Sequence, residues 1–140
     1  MSYPIRDVRR RIHDEYADVV VEIDRCADAV ADARASTETN EVESPRDGLQ
    51  AALEATGVIG TLPAVLVTAV DAAGFELRAQ PVPAPPYVVV TSRGPMLRAT
   101  IDPGRLVVRF DVFEVGRDGV SGSEPAYRRL DGVRVTISLE

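Results

Sequence analysis

Apolar residues recur at Ile5, Val8, Ile12, Tyr16, Val19, Ile23, Cys26 and Val30, spaced 3, 4, 4, 3, 4, 3 and 4 apart. One stripe of this kind predicts a single amphipathic helix from about residue 4 to 35. The opposite face carries Asp14, Asp18, Glu22, Asp24, Asp28 and Asp32. A straight helix of that length runs about 45 Å, more than a small domain easily covers. The stripe therefore asks for a partner, either a second helix of this chain or the same helix of another subunit. Ile5, Val8, Ile12, Tyr16, Val19, Ile23 and Val30 form that candidate interface.

A polar break follows over 36–44, the best linker candidate. Ser44-Pro45 then reads as an N-cap with proline at the first helical position. Leu49, Ala52, Leu53 and Thr56 share a face, and Gly57 or Gly60 ends this helix. A third helix is predicted from about Leu62 to Ala73, with Pro63 in its first turn and Gly74 as its stop. Its buried side would be Val65, Leu66, Ala69 and Val70.

The period then changes from helical to alternating. Phe75–Ala79 alternates, and so does Met96–Ile101. Tyr87–Thr91 is a continuous apolar, β-branched run that suits a central strand covered on both faces. Arg105–Val115 puts Leu106, Val108, Phe110 and Val112 on one face; Val133, Val135, Ile137 and Leu139 repeat the pattern at the end. Asp102-Pro103-Gly104 has the chemistry of a tight turn, and Gly116–Pro125 has that of a loop. The order predicts an α+β domain: a long N-terminal helix and two shorter ones packed on an antiparallel meander of about five strands. Its parts are a helix over 1–35, a linker over 36–44 and a globular part over 45–140.

Composition narrows the chemistry. Of 140 residues, the sixteen strong bases are all arginine, against twenty-two Asp and Glu, for a net charge of −6. Acid excess without lysine marks a salt-adapted, haloarchaeal type of protein, kept soluble by hydrated carboxylates. A lysine-free chain has no P-loop. One cysteine, Cys26, and one histidine, His13, exclude an internal disulfide and argue against Cys- or His-rich metal sites. The acidic rows of the first helix lack the Glu-x-x-His of carboxylate metal bundles. Gly119–Ser123 has the wrong spacing for a nucleophile elbow. No catalytic residue, cofactor or metal is assigned. No run reaches the roughly 18 apolar residues of a membrane span, and a cytoplasmic location is expected.

Two patches remain. Four prolines at 81, 83, 85 and 86 lead into Tyr87, and Thr91-Ser92-Arg93-Gly94 follows the apolar run. The loop reads first as a hairpin turn. The alternative is a ligand site, with Tyr87, Thr91, Ser92, Arg93 and Arg98 offering hydroxyls, amides and guanidinium groups to an anion. A further cluster, Tyr127-Arg128-Arg129, is free to face that loop across the sheet. At the other end Arg6, Arg9 and Arg10 cluster on the first helix and would suit phosphates. Neighbouring Asp7, Asp14 and Glu15 disfavour nucleic acid there.

The segment GVIGTLPAVLVTAVDAAGFELRAQPVPAPPYVVVTSRGPMLRATID resembles small uncharacterised haloarchaeal proteins with an N-terminal helix and a PPYVVVTS core. The resemblance covers Gly57 to about Val115, implies a domain of unknown function and brings no catalytic residues. The sequence thus favours a non-enzymatic domain that self-associates or docks a protein partner through its first helix. A small-molecule or anion-binding domain, with enzymatic activity left open, is the alternative, and a nucleic-acid accessory factor the second.

Overall fold

The computed structural model describes residues 4–36, 44–102, 104–117 and 125–140. The described residues make four helices and then a four-stranded antiparallel meander, α1 (Pro4–Glu15), α2 (Ala17–Ser36), α3 (Arg46–Ala55), α4 (Val58–Ala72), β1 (Val88–Val90), β2 (Pro95–Ile101), β3 (Gly104–Arg117) and β4 (Pro125–Leu139). The strands lie in sequence order, so β1 and β4 are the edges. The α+β expectation holds, with one helix more and one strand fewer than expected.

The extra helix comes from a break in the predicted rod. Tyr16 separates α1 from α2. Its hydroxyl lies 2.9 Å from Thr68 Oγ1 and donates to the Ala64 carbonyl at 3.3 Å, both on α4. Helical hydrogen bonds still flank the break, from the Tyr16 amide to the Ile12 carbonyl at 2.8 Å and from the Val20 amide to the Tyr16 carbonyl at 3.1 Å. Val8, Ile12 and Ile23 are fully buried, Val19 and Val30 nearly so, and Ile5 and Tyr16 pack against the same cluster. The stripe expected to await a partner is thus covered by its own chain. α1 lies mainly on α4 and β4, and α2 on α3 and β4.

The third predicted helix starts four residues early. Gly57 adopts φ +81 after α3, a left-handed turn that lets α4 begin at once at Val58. Gly60 therefore lies inside α4 and stops nothing. Ser44 contributes as expected, its Oγ accepting from the Arg46 amide at 3.2 Å.

In the sheet, Leu97, Ala99, Ile101, Leu106, Val108, Phe110, Val112, Val135 and Ile137 face the helices and are buried. Among the described residues no polar or charged side chain is buried. Phe75–Ala79 forms no strand, and Tyr87–Thr91 supplies the three-residue edge β1 rather than a central strand. The prolines at 81, 83, 85 and 86 lack the amides a ladder needs, which keeps the segment just before β1 out of the sheet. The linker at 37–43, Pro103 of the tight turn and most of the Gly116–Pro125 loop, 118–124, lie outside the described residues, as does the elbow-like Gly119–Ser123 segment.

Candidate binding cleft

Gly74 ends α4 with φ +82, and the Phe75 amide closes on the Val70 carbonyl at 3.1 Å. The chain then runs without regular structure to Tyr87, whose carbonyl accepts from the Arg98 amide at 2.8 Å. Between this segment and the sheet lies a cleft of about 230 Å³, lined by Leu77, Arg78, Pro86, Tyr87, Arg98, Thr100 and Arg105 among others. Arg98 and Thr100 come from β2, with Arg105 directly across from Thr100 on β3. The Arg98 Nε donates to the Pro86 carbonyl at 3.4 Å, which ties the guanidinium to the cleft wall.

The cleft is basic in an acidic protein. No lining residue is a carboxylate, and among the described residues none of Arg78, Arg98 and Arg105 has a carboxylate within salt-bridge distance. Arg105 exchanges backbone hydrogen bonds with Glu140 at 2.8 and 2.9 Å, yet their side chains form no ion pair. From Gly74 onward the sequence has nine arginines against eight acidic residues, so the acid excess sits on the helical half. The outward sheet face continues the trend, with Arg109 and Arg134 exposed beside Thr136 and Asp111.

The residues suggested by sequence divide here. Tyr87 and Arg98 line the cleft. Thr91, Ser92 and Arg93 do not; they form the β1–β2 turn. Thr91 exchanges backbone hydrogen bonds with Gly94 at 2.9 and 3.2 Å. Its Oγ1 donates to the Gly94 carbonyl at 2.9 Å and accepts from the Arg93 amide at 3.1 Å. The Arg93 carbonyl takes the Val112 and Phe113 amides at 2.7 and 3.0 Å, fastening the turn to β3. Thr91 is therefore a turn residue. Thr91→Val should cost about 1 kcal/mol in urea unfolding and leave anion affinity at the cleft unchanged. A loss of affinity in that variant would return the loop to the list of sites.

The N-terminal arginines have other uses. Arg9 Nε donates to the Val135 carbonyl at 3.2 Å. Arg11 pairs with Glu15 and Asp71, at 3.2 and 3.3 Å. Its pKa is held above the ordinary value, first by the hydrogen bond to Glu15. Arg6 is exposed, and Arg10 shares a shallow surface with Asp7, Asp14 and Glu15. His13 is exposed on α1, and Cys26 is buried beside Thr56. Among the described residues, no group of three His, Cys, Asp or Glu side chains is placed to hold a metal, and no single helix is long and apolar enough to cross a membrane.

Sequence reading missed Arg78 and Arg105. The signal for Arg105 was present: the register that pairs Ile101 with Gly104 sets Thr100 opposite Arg105, on the parity of Arg98. Arg78 carried none, because it was assigned to a strand that does not form.

No curated protein and no solved structure matches this chain. One family model does, over residues 6–140, which bears out the expected domain of unknown function over nearly the whole chain. The chain belongs to the family described as domain of unknown function DUF7988.

Proposed function

We propose that this chain is a non-enzymatic binding domain for anions, with its site in the cleft of Arg78, Arg98 and Arg105. One observation carries the reading: three arginines line one concavity and, among the described residues, none of them is in an ion pair, in a protein of net charge −6. Arginine donates in a planar fork and accepts nothing, so such a lining recognises oxyanions. Among the described residues that line the cleft none carries an imidazole, thiol or carboxylate to move a proton near neutral pH, which supports binding over catalysis. The acidic helical half suits a salt-rich cytoplasm, where screening keeps it from driving anions off. The apolar stripe packs in the chain's own core, which supports the cleft over the docking reading.

Titration with inorganic phosphate in about 1 M KCl tests this. At that salt the Debye length is about 3 Å, so only directed contacts hold the ion. Wild type should bind saturably, and Arg98→Gln with Arg105→Gln should weaken binding at least about tenfold. Arg25→Gln, on exposed α2 surface, should leave it unchanged. Equal losses in both variants would mean diffuse attraction and no site.

A further inference from the structure

We infer that the ligand of this cleft is an organic phosphate, a phosphate monoester whose ester group is a ring or a comparably flat apolar body; the inference rests on the anion-binding reading above. The first ground is the donor set. A carboxylate offers two oxygens, which one arginine fork satisfies. A phosphate monoester presents three terminal oxygens and up to two charges, and can serve more than one fork. Arg78, Arg98 and Arg105 all line the cleft, with the Thr100 hydroxyl beside them as a further donor.

The second ground is what else lines it. Leu77, Ala79, Pro86 and the ring of Tyr87 give the same cleft an apolar wall. A bare oxyanion has no use for that wall. The volume of about 230 Å³ lies just below the roughly 300–1,000 Å³ of sites for drug-sized ligands, and it far exceeds the need of a naked tetrahedral ion. It suits a head group plus about one ring. Tyr87 is half-buried, so its ring is already partly desolvated and loses little freedom when a flat group packs on it.

The position of the wall supports one orientation. Tyr87 and Pro86 belong to the segment leading into β1, whereas Arg98, Thr100 and Arg105 come from β2 and the start of β3. The head group would sit on the sheet side, within reach of Arg78 from the irregular segment, and the ring would lie against Pro86 and Tyr87.

The test compares three probes by calorimetry in about 1 M KCl: inorganic phosphate, phenyl phosphate and benzoate. Phenyl phosphate should bind about tenfold more tightly than phosphate and more tightly than benzoate. Tyr87→Ala should remove most of the advantage of phenyl phosphate while leaving phosphate affinity within about twofold. Arg98→Gln should weaken both phosphates. Equal affinity for phosphate and phenyl phosphate would overturn the organic body and leave the anion site standing. Benzoate binding as tightly as phenyl phosphate would overturn the choice of phosphate over carboxylate. Failure of all three probes to bind would remove the anion site itself.

Discussion

Gly94→Ala should remove most of the stability of this domain, with a loss of about 4 kcal/mol or more. Gly94 has φ +151, where side chains are strained, and a Cβ there would stand 1.9 Å from the Phe110 carbonyl oxygen. That oxygen is main chain, so no rotamer change relieves the overlap. Phe110 is fully buried, so its backbone moves only if the middle of the core moves with it. Nor can the turn retreat, because Arg93 is fastened to the Val112 and Phe113 amides. Domains of this size hold about 5–15 kcal/mol in total, so the variant should populate unfolded chain without denaturant. Gly116→Ala is the control: nothing lies within 4 Å of its would-be Cβ, and its cost should stay within about 0.5 kcal/mol. Urea unfolding of both variants at fixed salt checks the pair. A Gly94→Ala midpoint close to wild type would mean that the turn and β3 separate easily.

The glycine thus answers what Thr-Ser-Arg-Gly is for, and the answer was half legible. Turn chemistry in the sequence marked a hairpin. The same residues also carry hydroxyls and a guanidinium, and nothing local says that the Arg93 carbonyl, rather than its side chain, does the work. The stripe in the first third was legible in the same partial way. Its period named Val8, Ile12, Ile23 and Val30 as buried, which they are. Period alone does not tell whether a stripe wraps its own core or another subunit. The decision lies with Tyr16, whose hydroxyl is engaged by α4 at Ala64 and Thr68, a contact about fifty residues away in sequence. Alternation misled at Phe75–Ala79, because a strand also needs a partner, and this segment pairs with neither edge of the sheet. The cleft is the least legible part. Tyr87 and Arg98 flank one turn, but Arg78 and Arg105 join them only through the packing of an irregular segment on the sheet.

Arg129→Met should be the other large loss, about 3 kcal/mol, or roughly 10 °C in thermal midpoint. The pairing of β3 with β4 slips between Asp111 and Phe113: Asp111 faces Arg134, whereas Phe113 faces Arg129. Residues 130–133 of β4 therefore bulge away, with Gly132 at φ +93. Such an excursion strands carbonyls that the ladder would have used. Arg129, only 17% exposed, collects them. Its Nη1 donates to Val112, Leu130 and Gly132 carbonyls at 3.1, 2.7 and 3.0 Å. Its Nη2 reaches across to α2, to the Asp24 carbonyl at 3.1 Å and to the Asp24 and Asp28 carboxylates. Both carboxylates are substantially exposed, so they rehydrate when the cation goes, and their share is small. Most of the loss is the carbonyls, which a shorter methionine without donors leaves unpaired. Asp24→Asn should accordingly cost about 1 kcal/mol or less. Arg129→Lys should recover less than half of the loss, because one ammonium group lacks the fork that spans both the excursion and α2. Thermal unfolding of the three variants separates the contributions. Full rescue by lysine would assign the effect to charge alone, and a Met variant no worse than Asp24→Asn would assign it to the ion pair.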